Sequence, residues 1–383
     1  MSGPGQLPLP TGTLAGDLPP HASGPGAAGY AELCVTTNFT FLTGASHPEE
    51  MVTRAAELGL KALAITDRNS LAGVVRAYGA LKSLRRDCEE AIRIRSQHRI
   101  DASSRQEVDS GHPLIRPEAM PELPRLIVGC RLVLQDSPVD WLALPRDRAA
   151  YQRLTRLLTL GKRRAEKGDC HLSQRDLLEG CAGMILIALP QGGLGKARGA
   201  IEAMQRRYPG HVFTGAAPRY DGSDQAWLAA CSDLALRCSA PLVAVGDVLM
   251  HRASRRQLAD VLTCMREHIT IDQIGTRALP NAERRLKGAG DMVRVFRHHP
   301  AALRRTLEIA ARCSFCLSEL SYEYPDEIAS DEPPQTRLER LAREGLARRC
   351  PAGIPPRYNA LAEKELRLVR ELGFAAYFLT VHD

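Results

Sequence analysis

No apolar run in this 383-residue chain approaches the length of a membrane span, so we expect no membrane-spanning segment. The first residues also lack a basic segment followed by an apolar stretch, which argues against a secretory signal. The 11 cysteines are an odd count, and they lack the spacing of a disulfide framework. We therefore expect reduced thiols in a cytoplasmic protein.

Two other kinds of site are missing their usual patterns. The close cysteine pair Cys313-x-x-Cys316 lacks a second pair or nearby histidines at zinc-binding spacing, which favours two semi-buried thiols over a metal or redox site. Gly192-Gly193-x-Gly195 follows a predicted strand, but its spacing fits neither a P-loop nor a dinucleotide fingerprint. An ordinary turn is the favoured interpretation of these glycines.

Positive charge is only in moderate excess. The chain has 51 Lys and Arg against 44 Asp and Glu, which gives a net charge of +7. This leaves nucleic-acid contact open without indicating it. Residues 1–29 are rich in Gly and Pro, with Asp17 as their only charge, so we predict a disordered leader and a folded part that begins at Tyr30.

The first folded stretch predicts a strand, a helix and a second strand. Apolar runs at residues 33–35 and 63–65 flank a helical pattern that ends at Gly59. Parallel strands joined by a helix form a right-handed crossover, so residues 36–40 and Asp67 should lie at the same end of the sheet. α/β barrels place their active sites at that end, beyond the C-termini of the strands.

The rest of the pattern divides into two parts. About seven predicted strands alternate with helices between Tyr30 and about Arg252, which favours a closed or nearly closed parallel barrel. From Ser254 onward the pattern is helical. Residues 83–124 interrupt the alternation with dense charges of both signs and then several prolines. We predict a mobile surface insertion, helical only near 87–95; a basic nucleic-acid arm is less favoured because acids nearly balance bases.

Two stretches carry a family resemblance. ELCVTTNFTFLTGASHPEE at 32–50 and ALAITDRNSLAGV at 62–74 resemble motifs of the polymerase-and-histidinol-phosphatase (PHP) domain of bacterial C-family DNA polymerases. Metal-binding members of that family carry His-x-His, Asp-His, a strand Glu and Asp-x-His at four places. The matching positions here are, in chain order, Cys34, Thr36, Asp67, Arg68, Arg131, Asp247 and Leu249. This pattern is similar to the error-prone, damage-inducible branch of the family.

The resemblance implies an α/β fold in two parts. A PHP-type distorted seven-stranded (β/α) barrel would cover residues 30–253, and a mostly helical segment leading into the polymerase palm would cover 254–383. Gly373, Phe374 and Tyr377 match the family's entry into the palm. The family's catalytic aspartates come later, so no residue of this chain is expected to be catalytic.

The resemblance also implies a function. The chain would be the N-terminal portion of an error-prone DNA polymerase that acts in translesion synthesis and damage-induced mutagenesis. The complete enzyme would use a DNA primer-template, deoxynucleotides and Mg²⁺. A sliding clamp and mutagenesis accessory proteins would be its partners. No cofactor is expected for this chain alone, which should be inactive without the palm carboxylates.

The alternative is a PHP-type metal-dependent phosphoesterase or 3′–5′ exonuclease. That chemistry needs converging His and carboxylate ligands, which the seven matched positions have largely lost. We therefore expect a metal-free structural and docking module, in which Asp67 pairs with Arg68, Arg131 or both. Glu32 and Cys34 are candidates for a single adventitious zinc ion.

One basic run is a separate candidate. Lys162, Arg163 and Arg164 end a predicted helix, where cations are favoured by the helix dipole. Contact with DNA phosphates is the more specific hypothesis for these three residues.

Overall fold

The computed structural model describes residues 29–103, 122–191, 193–320 and 332–382, and leaves the side chains of 95–103 undescribed. The leader predicted to be disordered lies outside the described residues, apart from Gly29.

The first sheet holds three parallel strands, β1 (Ala31–Val35), β2 (Ala62–Ile65) and β3 (Arg125–Val128). Helices α1 (Pro48–Glu57) and α2 (Ala72–Ser103) lie between them along the chain. Every residue of β1 and β2 is buried, as expected for parallel strands covered on both faces. The predicted strand, helix and strand at the start of the fold are confirmed.

The second sheet is mixed. Its strands, in spatial order, are β4 (Cys130–Leu132), β5 (Val139–Pro145), β6 (Met184–Pro190), β7 (Val212–Ala216) and β8 (Leu242–Ala244). β5 runs antiparallel to β4 and to β6, so the expectation of an all-parallel barrel is wrong here. The connection 133–138 is too short for a parallel crossover, which needs about a dozen residues or more. Four helices lie between β5 and β8 along the chain: α3 (Arg148–Arg163), α4 (Gln174–Gly180), α5 (Leu194–Arg207) and α6 (Asp224–Arg237).

Single-residue bridges link the two sheets. The backbone of Val35 forms a parallel β-bridge with that of Val248, and the backbone of Arg68 forms one with that of Arg131. β3 and β4 follow one another across Gly129, where tight packing leaves no space for a side chain. The α/β class is confirmed, with eight strands in two linked sheets among the described residues in place of the seven expected.

Helix α2 contradicts part of the prediction of an irregular insertion at 83–124. The helix runs without a break from Ala72 to Ser103, so residues 83–103 are not irregular. Charges of both signs suit an exposed helix, as the pair of Arg93 with Glu90 at 2.8 Å illustrates. Residues 104–121 lie outside the described part of the chain.

The helices after residue 254 belong to two compact units. Helices α7 (Arg256–Glu267), α8 (Ala289–Val295) and α9 (Pro300–Arg312) fall in the unit that ends at Glu319. Ile309 of α9 is buried in one cluster with residues of β1 and β8, which is why the unit extends past the boundary expected at 253/254. Short 3-10 turns occupy Ala253–Arg255, Ile271–Gln273, Gly275–Arg277 and Leu317–Glu319.

The second unit covers Leu320–Asp383. Its helices are α10 (Pro334–Arg349), α11 (Pro356–Leu372) and α12 (Ala375–His382). Gly373 adopts a left-handed conformation, with φ of 69°, after α11 and separates it from α12. The prediction of helical structure after Ser254 is confirmed for the described residues.

Candidate functional site

Five residues meet where the strands of the two sheets end. They are linked by hydrogen bonds or ion pairs, and we call them the strand-end cluster: Cys34 of β1, Arg131 of β4, Asp140 of β5, Asp247 after β8, and Arg284. The bridges between the sheets bring these strand ends together.

Arg131 bridges two carboxylates. Its Nε donates to Asp140 Oδ2 over 2.8 Å, and its Nη1 donates to Asp247 Oδ1 over 2.8 Å. Burial alone would lower the pKa of Arg131, but the charges of Asp247 and Asp140 outweigh it and hold that pKa above its ordinary value. These are charge-assisted contacts of near-ideal length, so the guanidinium cross-links β4, β5 and the turn after β8.

Asp247 is held by a second guanidinium. Arg284 pairs with its Oδ2, and Arg284 Nε donates to the carbonyl of Asp247 over 3.0 Å. Burial opposes ionisation of Asp247, but Arg284 and Arg131 outweigh it and keep its pKa below the usual value. Cys34 Sγ lies 3.6 Å from Asp247 Oδ1. Burial and the Asp247 charge raise the pKa of Cys34, so its thiol stays protonated.

Asp67 does not pair with Arg68 or Arg131, so that prediction is wrong. Its Oδ1 accepts hydrogen bonds from Thr37 N and Thr40 Oγ1, and its Oδ2 accepts from Thr37 Oγ1, all at 2.8 Å. Burial raises the pKa of Asp67, although these hydrogen bonds favour the carboxylate. The side chain of Arg68 is exposed, while Arg131 is committed to Asp140 and Asp247.

Glu32, a sequence candidate with Cys34 for an adventitious zinc ion, is a fully buried carboxyl group. Its Oε1 accepts from the backbone N–H groups of Cys34 and Gly246 at 2.9 and 3.0 Å, and its Oε2 accepts from Tyr30 Oη at 2.8 Å. Burial raises the pKa of Glu32 to about 7. A Cβ at Gly246 would lie 2.3 Å from Glu32 Oε2, so this contact requires glycine.

The remaining matched positions do not enter the strand-end cluster. Leu249 packs in an apolar group with Ala45 and Met250. The side chain of Thr36 is buried, and its backbone N–H donates to Val248 O. Sequence reasoning therefore named three of the five cluster members. It missed Asp140 and Arg284 because these two residues lie outside the recognised motifs, although their partners Arg131 and Asp247 lie within them.

The basic run predicted to end a helix does so. Lys162 and Arg163 lie in the last turn of α3, and Arg164 is its C-cap. Arg164 Nη1 pairs with Asp176 Oδ2 over 2.8 Å, while Lys162 and Arg163 are exposed. Their contact with DNA stays a prediction.

The donor set does not fit the metal cluster of the family's metal-binding members. Both oxygens of Asp67, Asp247 and Glu32 already accept hydrogen bonds or ion pairs from the protein. A guanidinium, which cannot ligate a metal ion, occupies the position of the family's strand Glu. Within the described ranges, no group of three or more His, Cys, Asp or Glu is arranged to hold a metal ion.

Two protein-family models match parts of the chain. Residues 32–210 match the PHP domain model, and residues 336–383 match the model of the bacterial DNA polymerase III alpha NTPase domain. A solved amidohydrolase structure from Chromobacterium violaceum is 13% identical and covers 57% of this chain and 87% of its own, with a TM-score of 0.36. This TM-score and this identity are too low to support a functional comparison. Among the described residues, no helix is long and apolar enough to cross a bilayer.

Two curated relatives are similar over most of the chain. The error-prone DNA polymerase of Ruegeria pomeroyi is 79% identical over 92% of this chain and 32% of that protein. The error-prone DNA polymerase of Rhodopseudomonas palustris (strain BisB5) is 43% identical over 92% of this chain and 29% of that protein. The chain spans about a third of the length of these relatives. By sequence, the chain carries a PHP domain over residues 32–210 and is similar over 92% of its length to error-prone DNA polymerases.

Proposed function

We propose that this chain is the N-terminal portion of an error-prone DNA polymerase, and that its PHP domain is a metal-free structural and docking module. The observation that carries the second half is the Arg131 guanidinium, which is held between Asp140 and Asp247 by contacts of 2.8 Å. A fixed positive charge at this position repels a divalent cation and competes with it for the same carboxylates.

The network also cross-links the strand ends, which is the structural role that a bound metal ion would otherwise have. Arg131 and Arg284 together connect β4, β5, the turn after β8 and the segment before α8 through Asp140 and Asp247. Their side chains are between 14 and 27% exposed, so water screens these pairs less than it screens surface pairs. This supports a stabilising role for the PHP domain within a larger polymerase.

The polymerase half of the proposal rests on the relatives. The complete protein would extend a DNA primer with deoxynucleotides past damaged template bases, using Mg²⁺ and palm carboxylates. Damage-induced mutagenesis would be its role in the cytoplasm, with a sliding clamp and mutagenesis accessory proteins as partners. No membrane contact is part of this proposal.

Metal analysis separates the module from a phosphoesterase or exonuclease. The purified chain is dialysed against a chelator, incubated with Mn²⁺ or Zn²⁺, desalted and analysed for bound metal. Hydrolysis of a phosphoester and of single-stranded DNA is measured in parallel. We expect neither stoichiometric metal nor hydrolysis. Stoichiometric metal together with hydrolysis that disappears in Asp67→Ala would overturn the proposal and make the domain an enzyme.

A further inference from the structure

A second charged cluster lies at the opposite end of the strands. Arg125 is the first residue of β3, and His211 immediately precedes β7. Arg146 follows β5, whose last residue Pro145 pairs with Met184 at the start of β6 because the two strands are antiparallel. Arg312 is the last residue of α9. We call Arg125, Arg146, His211 and Arg312 the arginine cluster.

Neutral groups hold these side chains in place. Arg125 Nη1 donates to Cys313 O over 2.6 Å, and Arg312 Nη2 donates to Gly210 O over 2.9 Å. His211 Nδ1 lies 3.0 Å from the carbonyl oxygen of Pro209, and its Nε2 lies 2.9 Å from Arg146 Nη1.

The two contacts of His211 assign its tautomer. Only a protonated Nδ1 can donate to the Pro209 carbonyl, and only an unprotonated Nε2 can accept from Arg146. The ring therefore accepts from the Arg146 guanidinium through Nε2. It acts as a positioning residue for the Arg146 guanidinium.

The positive charges of the cluster meet no carboxylate partner among the described side chains. In the part of the chain that the structure describes, none of Arg125, Arg146 and Arg312 forms an ion pair with Asp or Glu. The nearest acid in sequence, Asp147, accepts from Ala150 N as the cap of α3. Arg146 Nε is buried and has no hydrogen-bond partner among the described residues.

The three guanidiniums also affect the same buried thiol. Burial raises the pKa of Cys313 to about 12, and Arg125, Arg312 and Arg146 each oppose that rise, which places all three near one point. Burial and the charge of Arg146 lower the pKa of Arg312. Like charges held together with an unused buried donor form an arrangement that an anion would stabilise.

We propose that the arginine cluster binds a phosphate-type oxyanion, either a free phosphate or a terminal phosphate of a nucleic-acid strand. Guanidiniums bind phosphate through paired N–H donors, and the planar fork fixes the orientation of the anion. The unpartnered Nε of Arg146 supplies a donor that the fold leaves unused. This site is separate from the strand-end cluster, which lies at the other end of the strands.

The first test measures inorganic phosphate. Equilibrium dialysis with radiolabelled phosphate and thermal unfolding are carried out at constant ionic strength, with chloride as the reference anion. We expect saturable phosphate binding and a higher melting temperature in phosphate than in chloride. Arg312→Gln should weaken binding at least tenfold. Arg304→Gln is the matched control, because Arg304 is an exposed arginine on the same helix.

The second test identifies the source of the phosphate. A fluorescent oligothymidylate with a 5′-phosphate is compared with the same strand bearing a 5′-hydroxyl. If the phosphorylated strand binds more tightly and this difference is lost in Arg312→Gln, the ligand of the cluster is a strand terminus. If phosphate binds but the two strands bind equally, the ligand is a free anion. If Arg312→Gln fails to fold, Arg125→Gln carries the comparison, because Arg125 is exposed. No phosphate binding, or equal binding by the cluster variant and Arg304→Gln, overturns the proposal.

Discussion

Arg131 and Asp247 lie 2.8 Å apart, Nη1 to Oδ1, although 116 positions separate them in the chain. Their side chains are only 14% and 18% exposed. Removing one partner of such a pair leaves a charge in surroundings that solvate it poorly. The pair should therefore contribute more to stability than an exposed ion pair does.

Arg131→Gln should lower the free energy of unfolding by about 3 kcal/mol, because Asp140 and Asp247 would lose a shared cation. Arg68→Gln, an exposed arginine at the same end of the strands, should change it by less than about 0.5 kcal/mol. Urea unfolding followed by tryptophan fluorescence reports on this unit, since both tryptophans, Trp141 and Trp227, lie within it. Equal losses in the two variants would contradict the prediction.

Glu32 should make the protein less stable as pH rises from about 5 to 7. Burial raises its pKa from 4.5 to about 7. In that window the unfolded chain releases the proton while the native protein retains it, so the free energy of unfolding falls with increasing pH. A shift of this size corresponds to about 3 kcal/mol. Below the unfolded pKa, and well above the folded one, Glu32 adds no further slope.

Glu32→Gln tests this pH dependence. An amide oxygen can still accept from Cys34 N and Gly246 N, and the amide nitrogen can donate to Tyr30 Oη. The variant should lose the part of the slope between pH 5 and 7 that Glu32 supplies, and it should be more stable than the parent at pH 8. Glu166→Gln, which changes an exposed glutamate, should keep the parent's slope. Parallel stability curves for Glu32→Gln and the parent would refute the assignment.

The chain as purified should not extend a primer. The family resemblance implies catalytic carboxylates after the segment that residues 336–383 match, so we expect the nucleotidyl-transfer site of this chain to be incomplete. A labelled primer-template with deoxynucleotides and Mg²⁺ measures this directly. Template-dependent incorporation that copurifies with the chain, after contaminating polymerases are removed, would show the prediction to be wrong.

Limited proteolysis should cut first between Ser103 and Glu122. The intervening sequence carries prolines at 113, 117 and 121 and polar residues that do not repeat with a regular period. A variant that lacks residues 104–121 and has a short Gly-Ser linker in their place should stay soluble and keep its melting temperature within a few degrees. An insoluble deletion variant would assign a structural role to this segment.

Local patterns predicted the start of the fold well and its long-range contacts poorly. The runs at 33–35 and 63–65 are strands because they are apolar and short, and Gly59 does follow α1 with a positive φ of 64°. The sequence favours an ion pair between Asp67 and the adjacent Arg68. In the fold, Thr37 and Thr40 donate the hydrogen bonds that the Asp67 carboxylate accepts.

Two further differences have identifiable physical causes. The charged stretch after residue 83 continues α2, since alternating charges are compatible with an exposed helix as well as with a loop. Arg284 reaches Asp247 from a segment that carries no recognised motif. Contacts of this kind depend on the path of the whole chain, and a periodic pattern holds no information about them.

The cross-link through Arg131 has a consequence for assembly. A bound ion must be captured from solution, and its occupancy falls with dilution or with a competing chelator. Arg131 is covalently part of β4, so its effective concentration next to Asp140 and Asp247 is set by the chain and is independent of any solute. The ends of these strands therefore acquire their cross-link as soon as the chain folds, whatever the supply of manganese or zinc.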